Sequence, residues 1–204
     1  MQAQTIYRQF GDMAGLLDAV VARGFADFLH AKDGQAARAD PVDELRDGWD
    51  MHVGFAVANP AVYALMYGEP RTEVPDGARQ VYDVLRGIVA KVAAAGRLAV
   101  PVDTAAGMVY AAGVGVALST IVESNVGSTH DPSLSTRTRD AILGAITIEP
   151  PDGRAPDAAG TTAWHAISLR AALPEVPVDF TRGERALLGE WLDRIAEAGE
   201  ARGT

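Results

Sequence analysis

Apolar residues recur at helical spacing along almost the whole chain. Leu17, Val20, Val21, Phe25 and Phe28 step by threes and fours, with Asp12 ahead of them as a capping residue. Asp40-Pro41 places a cap before a proline at the first helical position. The helix it opens carries Leu45, Trp49, His52, Val53 and Ala56 on one face. Asn59-Pro60 repeats the device ahead of a short helix holding Val62, Tyr63, Met66 and Tyr67, which Gly68 and Pro70 stop. Asp76 caps a helix with Val81, Leu85, Ile88 and Val92, ended by Gly96, and Asp103 caps a long one reaching residue 126. After a polar loop at 127–133, a further helix carries Ile142, Ala145, Ile146 and Glu149. The Pro- and Gly-rich stretch 150–160 reads as a linker. Two helices follow it. The first contains Trp164, Ile167 and Leu173 and stops at Pro174. The second opens on Thr181 and Glu184 at capping-box spacing and sets Leu188, Trp191, Leu192 and Ile195 against an outer face of Glu190, Arg194 and Glu197. Only 98–102 hints at a strand, so the pattern predicts an all-α fold.

Composition sharpens this picture. With 48% hydrophobic and 22% charged residues the chain can bury a core, which excludes a disordered or fibrous class. Acids outnumber bases 27 to 18, for a net charge of −9, so any contact with nucleic acid must be local. The absence of cysteine excludes disulfides, thiolate metal sites and a cysteine nucleophile. No apolar leader follows Met1, and a cytoplasmic protein is expected. Residues 104–122 lack any charge and are long enough to span a bilayer. However, they are rich in Ala, Gly, Ser and Thr and are flanked by Asp103 and Glu123. That composition reads as a central helix buried in protein, with no membrane partner.

Three segments resemble a known family. Thr5 to Phe10 (Thr-Ile-Tyr-Arg-Gln-Phe), followed by Gly11-Asp12-Met13 and a Leu-rich helix, is similar to the junction of recognition helix and sensor domain in TetR-family transcriptional regulators. Asn59 to Gly68 resembles that family's Asn-Pro-x-Val-Tyr-x-Leu-Met segment. The small-residue helix 106–120 is similar to the one the family uses for dimerisation. The resemblance implies a TetR-type C-terminal ligand-binding and dimerisation domain over 11–204, with extra C-terminal helices. Residues 1–10 are then a remnant of the helix-turn-helix module. It implies DNA-backbone contacts for Thr5 and Tyr7, with operator DNA a partner only when the N-terminal module is complete. Met13 stands where the family usually has a lysine, and Gln9 where a histidine is commoner.

The expected effector cavity is lined by Trp49, His52, Phe55, Tyr63, Met66, Tyr67, Tyr82, Leu85 and Met108, a mixture of large apolar walls, phenol hydroxyls and one imidazole. No Lys or Arg lies on these helical faces, so a neutral or cationic apolar effector is expected. The two C-terminal helices are expected to cover this cavity or the dimer edge. A homodimer is expected through Gly107, Ala111, Gly115, Leu118 and Val122, with Ile142 and Ile146 beside them. No cofactor or metal is expected, because His52 has Phe55 and Ala56 where a second ligand would stand. No nucleophile elbow or dinucleotide loop occurs, so the chain is not expected to be an enzyme. The competing readings are an enzyme on a helical bundle and an interaction protein without a ligand.

Overall fold

The computed structural model describes residues 10–34, 38–68, 73–126, 131–148 and 158–200. Among them are eight α-helices: α1 (Met13–Asp33), α2 (Pro41–Ala58), α3 (Pro60–Tyr67), α4 (Asp76–Ala94), α5 (Val102–Val126), α6 (Leu134–Ile146), α7 (Ala158–Ala172) and α8 (Arg182–Glu200). A single 3₁₀ turn, Leu173–Glu175, links the last two. The strand-like hint at 98–102 amounts to one isolated antiparallel bridge between Leu98 and Thr147. Among the described residues the fold is an all-α, strand-free helical bundle.

Local side-chain chemistry sets several helix ends. Asp12 Oδ1 accepts from Gly15 N at 2.8 Å, and Asp40 Oδ1 accepts from Val42 N at 2.8 Å. The Thr181–Glu184 box closes both ways, with Glu184 N donating to Thr181 Oγ1 and Thr181 N to Glu184 Oε2. Three expected caps behave differently. Asn59 turns its amide back onto the Phe55 carbonyl at 3.1 Å, so Pro60 starts α3 without a side-chain cap. Pro75 is the N-cap of α4, which leaves Asp76 inside the first turn. α5 begins at Val102, so Asp103 also lies inside its first turn and pairs with Arg86 of α4. Both acids still favour the positive end of the helix dipole. At the C-terminus of α4, Gly96 takes φ +67°, its N–H meets the Ala93 carbonyl and Arg97 N meets the Val92 carbonyl. That is a Schellman stop, which suits glycine because a Cβ there is strained.

α5 lies against α2, α4 and α6, and the main core gathers around it: Leu45, Trp49, Val89, Val92, Leu98, Ala105, Val109 and Ile146. A second cluster, with Val21, Phe25, Phe28, Met66 and Val81, joins α1 to α3 and α4. Glycine permits the close approaches there, since a Cβ on Gly24 would sit 2.7 Å from Met66 Sδ. α7 and α8 form a hairpin held by Arg170 and Asp193 at 3.1 Å and docked on α4, where the Trp164 indole N–H donates to the Gly96 carbonyl. Leu188, Leu192 and Ala196 are the inward residues of α8. Trp191 and Ile195, expected beside Leu188 and Leu192, lie on the open flank at 51% and 41% exposure.

α5 is one described helix long and apolar enough to cross a membrane by length and composition, yet only 44% of an 18-residue apolar stretch within Val102–Ser124 is buried within the chain. The stripe that α2, α4 and α6 leave uncovered, Ala111, Gly115, Ser119 and Val122, is open, so a single copy does not bury this helix as expected.

Candidate ligand cleft

Four helices converge on one apolar cleft. α1 contributes Phe28 and Lys32, and α2 contributes Leu45, Gly48, Trp49, Met51 and His52. α4 supplies Val81, Val84, Leu85 and Ile88, and α5 supplies Val109, Tyr110 and Gly113. On α2 the spacing 45, 48, 49, 52 is one helical face, which is why a single helix furnishes so much of the wall. The space between these walls, partly open to solvent, is about 60 Å³. Pockets that enclose drug-sized ligands run to roughly 300–1,000 Å³.

Of the nine residues expected to line the cavity, Trp49, His52 and Leu85 do so. Trp49 is anchored from outside, its indole N–H donating to Ser135 Oγ of α6 at 3.0 Å. Tyr63 is fully buried behind His52, with its hydroxyl 2.7 Å from Nε2. Tyr67 lies against Tyr63 with ring centroids 4.7 Å apart and meets the edge of Phe25 at 5.6 Å. Phe55 packs edge-on against Phe28 at 5.4 Å, and Met66 fills the α1–α3 contact. These four therefore form the packed layer behind the wall. Tyr82 meets the edge of Tyr110 at 5.5 Å, and Met108 packs half-buried on the main core while its neighbour Val109 faces the cleft. The aromatic rings still form one connected set, from Phe25 and Phe28 through His52, Tyr63 and Tyr67 to Tyr110 and Tyr82.

Lys32 overturns the expectation that no cation faces this space. It belongs to α1, one turn beyond Phe28 and outside the four helices, α2 to α5, from which the lining was expected. The α7–α8 hairpin, expected to cover the cavity or the dimer edge, supplies no lining residue.

The His52–Tyr63 pair has a defined electrostatic state. Burial pushes the Tyr63 phenol far up, so it stays protonated, and burial alone lowers His52 to about 4. The Tyr63 hydroxyl meets His52 and no other hydrogen-bonding partner among the described residues. Donation from this O–H into Nε2 satisfies both atoms and places the neutral ring's proton on Nδ1. The folded state therefore binds fewer protons than the unfolded state between pH 6.5 and about 4. Stability is fully present above that window and falls as pH drops through it, by on the order of 2–3 kcal/mol. Urea unfolding of the wild type and of His52→Asn across this range checks the point. The wild-type curve should lose the extra increment while the variant shows only the slope common to both.

Among the described residues no group of three or more His, Cys, Asp or Glu side chains is placed to hold a metal ion. The expected dimer residues divide sharply. Ala111 and Gly115 are exposed, Val122 is 59% exposed, and Gly107 and Leu118 are half-buried. Ile142 packs half-buried on the main core, and Ile146 lies within it at 0% exposure, so Ile146 is not open to a second copy. The open residues of α6 are instead Thr136, Arg137, Asp140, Ala141, Gly144 and Ala145. Thr5 and Tyr7 lie outside the described residues, as do residues 149–157, most of the expected linker. No family model, curated protein or solved structure matches this chain.

Proposed function

We propose that the chain is the effector-sensing and dimerisation region of a TetR-like, ligand-responsive repressor, with the cleft between α1, α2, α4 and α5 as its effector site. The observation that carries this reading is the convergence of four helices on one apolar space, faced by a neutral imidazole and backed by a connected aromatic layer. The family-like segment 59–68 supports it, since that segment forms α3 and presents Tyr63 to His52.

The small volume suggests how sensing works. An effector larger than about 60 Å³ is enclosed only when the walls part, so it favours the open arrangement over the closed one. That differential affinity is what a population shift needs. α1 is both a cleft wall and the helix that directly follows the Thr5–Phe10 segment, so its displacement would reorient a DNA-binding module placed ahead of it. A second copy of the chain would cover the open face of α5.

A thermal-shift panel of apolar compounds tests the site. An ideal Cβ on Gly113 lies 3.7 Å from His52 Cδ2 and from the Trp49 ring, so the branch of Gly113→Leu projects into the cleft. A ligand at about 100 times its Kd should stabilise the wild type by about 2.7 kcal/mol, a shift of roughly 5–10 °C. Gly113→Leu should melt cooperatively and lose that shift. An unchanged shift in the variant would place the ligand elsewhere, and no shift with any compound would remove the sensing reading.

A further inference from the structure

Resting on the effector-site reading above, we infer that the cleft takes an uncharged apolar molecule bearing a hydrogen-bond acceptor, a ketone carbonyl in the simplest case, and that the Nδ1–H of His52 receives it. Tyr63, behind the wall, holds Nε2 at 2.7 Å and so leaves Nδ1 as the ring's donor. Among the described residues that nitrogen has no hydrogen-bonding partner. It is not sealed from solvent, and the ring that carries it lines the cleft. Edge contacts to Phe28, Tyr63 and Tyr67, at centroid distances of 5.6, 5.5 and 6.0 Å, fix the orientation of the ring. An aimed donor therefore opens on an apolar space. A ligand that displaced water from it without offering an acceptor would leave the N–H dry, and that loss exceeds what an ordinary hydrogen bond gains.

The other polar side chains of the lining suit the same ligand. Trp49 commits its indole N–H to Ser135, Lys32 is a donor, and the Tyr110 hydroxyl can donate or accept. Neither a carboxylate nor a side-chain amide occurs among the described lining residues. A donor-rich ligand, an amine above all, would meet the Tyr110 oxygen as its one strong side-chain acceptor. An ion would also lose its hydration against Phe28, Leu45, Val81 and Val109, a far larger cost than a carbonyl bears. Burial lowers His52 to about 4, so at neutral pH the imidazole donates without carrying a charge. The neutral or cationic effector expected from the sequence narrows to a neutral one with an acceptor.

Acetophenone, ethylbenzene and benzoate share one shape and differ in the carbonyl and in charge. Each is titrated calorimetrically into the intact chain at neutral pH. His52→Phe keeps a flat apolar wall and removes the donor. It should weaken acetophenone relative to ethylbenzene by about fivefold, the contribution of one neutral hydrogen bond. The infrared carbonyl stretch of acetophenone bound to the wild type, which needs no His52 variant, should lie below its frequency in hexane, and Tyr110→Phe should preserve that lowering. A bound carbonyl at its hexane frequency in the wild type or in Tyr110→Phe, a ligand ratio unchanged by His52→Phe, or tighter binding of benzoate than of acetophenone overturns the acceptor inference and leaves the apolar cleft standing. No binding of any of the three overturns the cleft reading along with it.

Discussion

Phe25→Ala is expected to lower the unfolding free energy by about 3–5 kcal/mol, the usual cost of deleting a fully buried ring. Phe25 is 1% exposed at the centre of the α1–α3–α4 cluster, with its edge against Tyr67. It also explains a glycine in the first turn of α4. A Cβ on Gly77 would overlap Phe25 Cβ and lie 2.8 Å from its Cγ, so Gly77→Ala forces α1 and α4 apart. That overpacking should cost about 1–3 kcal/mol. Phe25→Ala removes the ring atoms at 2.8 and 3.2 Å, and the Cβ that remains at residue 25 can then shift into the space the ring leaves. The double variant should therefore be more stable than the two separate losses predict, by at least about 1 kcal/mol. Urea unfolding of the four proteins measures the cycle, and strictly additive losses would show that the contact does not govern the approach of α1 to α4. The cleft depends on this contact, because α1 also carries Phe28 and Lys32.

What could be read from the sequence divides by the range of the interactions. Asp12, Asp40 and the Thr181–Glu184 box act within three residues of themselves, so spacing alone located them. Asp76 stands one position inside its helix and Asp103 two positions inside, where spacing marks both as caps, because an acid in the first turn gains from the helix dipole much as a cap does. The His52 face of α2 was legible from its period. Val109, Tyr110 and Gly113 were not, because α5 is apolar on every side and its pattern does not reveal which face meets α2. Lys32 was missed for a related reason. Only tertiary packing brings the last turn of α1 beside Leu45 and Gly48. On α8, Trp191 and Ile195 extend the apolar arc beyond what α7 covers, and the width of that arc cannot be judged without the partner helix.

The joint substitution Ala111→Glu with Gly115→Glu is expected to convert a dimer at micromolar concentration into a folded monomer. Ala111, Gly115, Ser119 and Val122 form an exposed stripe on α5, spaced by four, four and three residues. A Cβ on Gly107 or Gly115 would meet nothing within 4 Å in a single chain, so the fold of one copy does not require glycine there. On α6 the C-terminal open residues Ala141, Gly144 and Ala145 continue the same small-residue character beyond the exposed Thr136, Arg137 and Asp140, and a Cβ on Gly144 likewise meets nothing within 4 Å. Two such faces allow helices to approach closely, and a two-fold axis would set α5 and α6 of both copies into a four-helix bundle. Glutamates at 111 and 115 would bring like charges together in that seam, at a cost of several kcal/mol. Because both positions are exposed in one chain, the variant should keep its helical circular dichroism while light scattering reports half the mass. Gly87→Glu, at an exposed position on α4 where a Cβ also meets nothing, serves as the control and should remain dimeric. A monomeric wild type would remove the dimer proposal. A double variant that stays dimeric would move the interface elsewhere, with the exposed Leu187, Trp191 and Ile195 stripe of α8 the next surface to substitute.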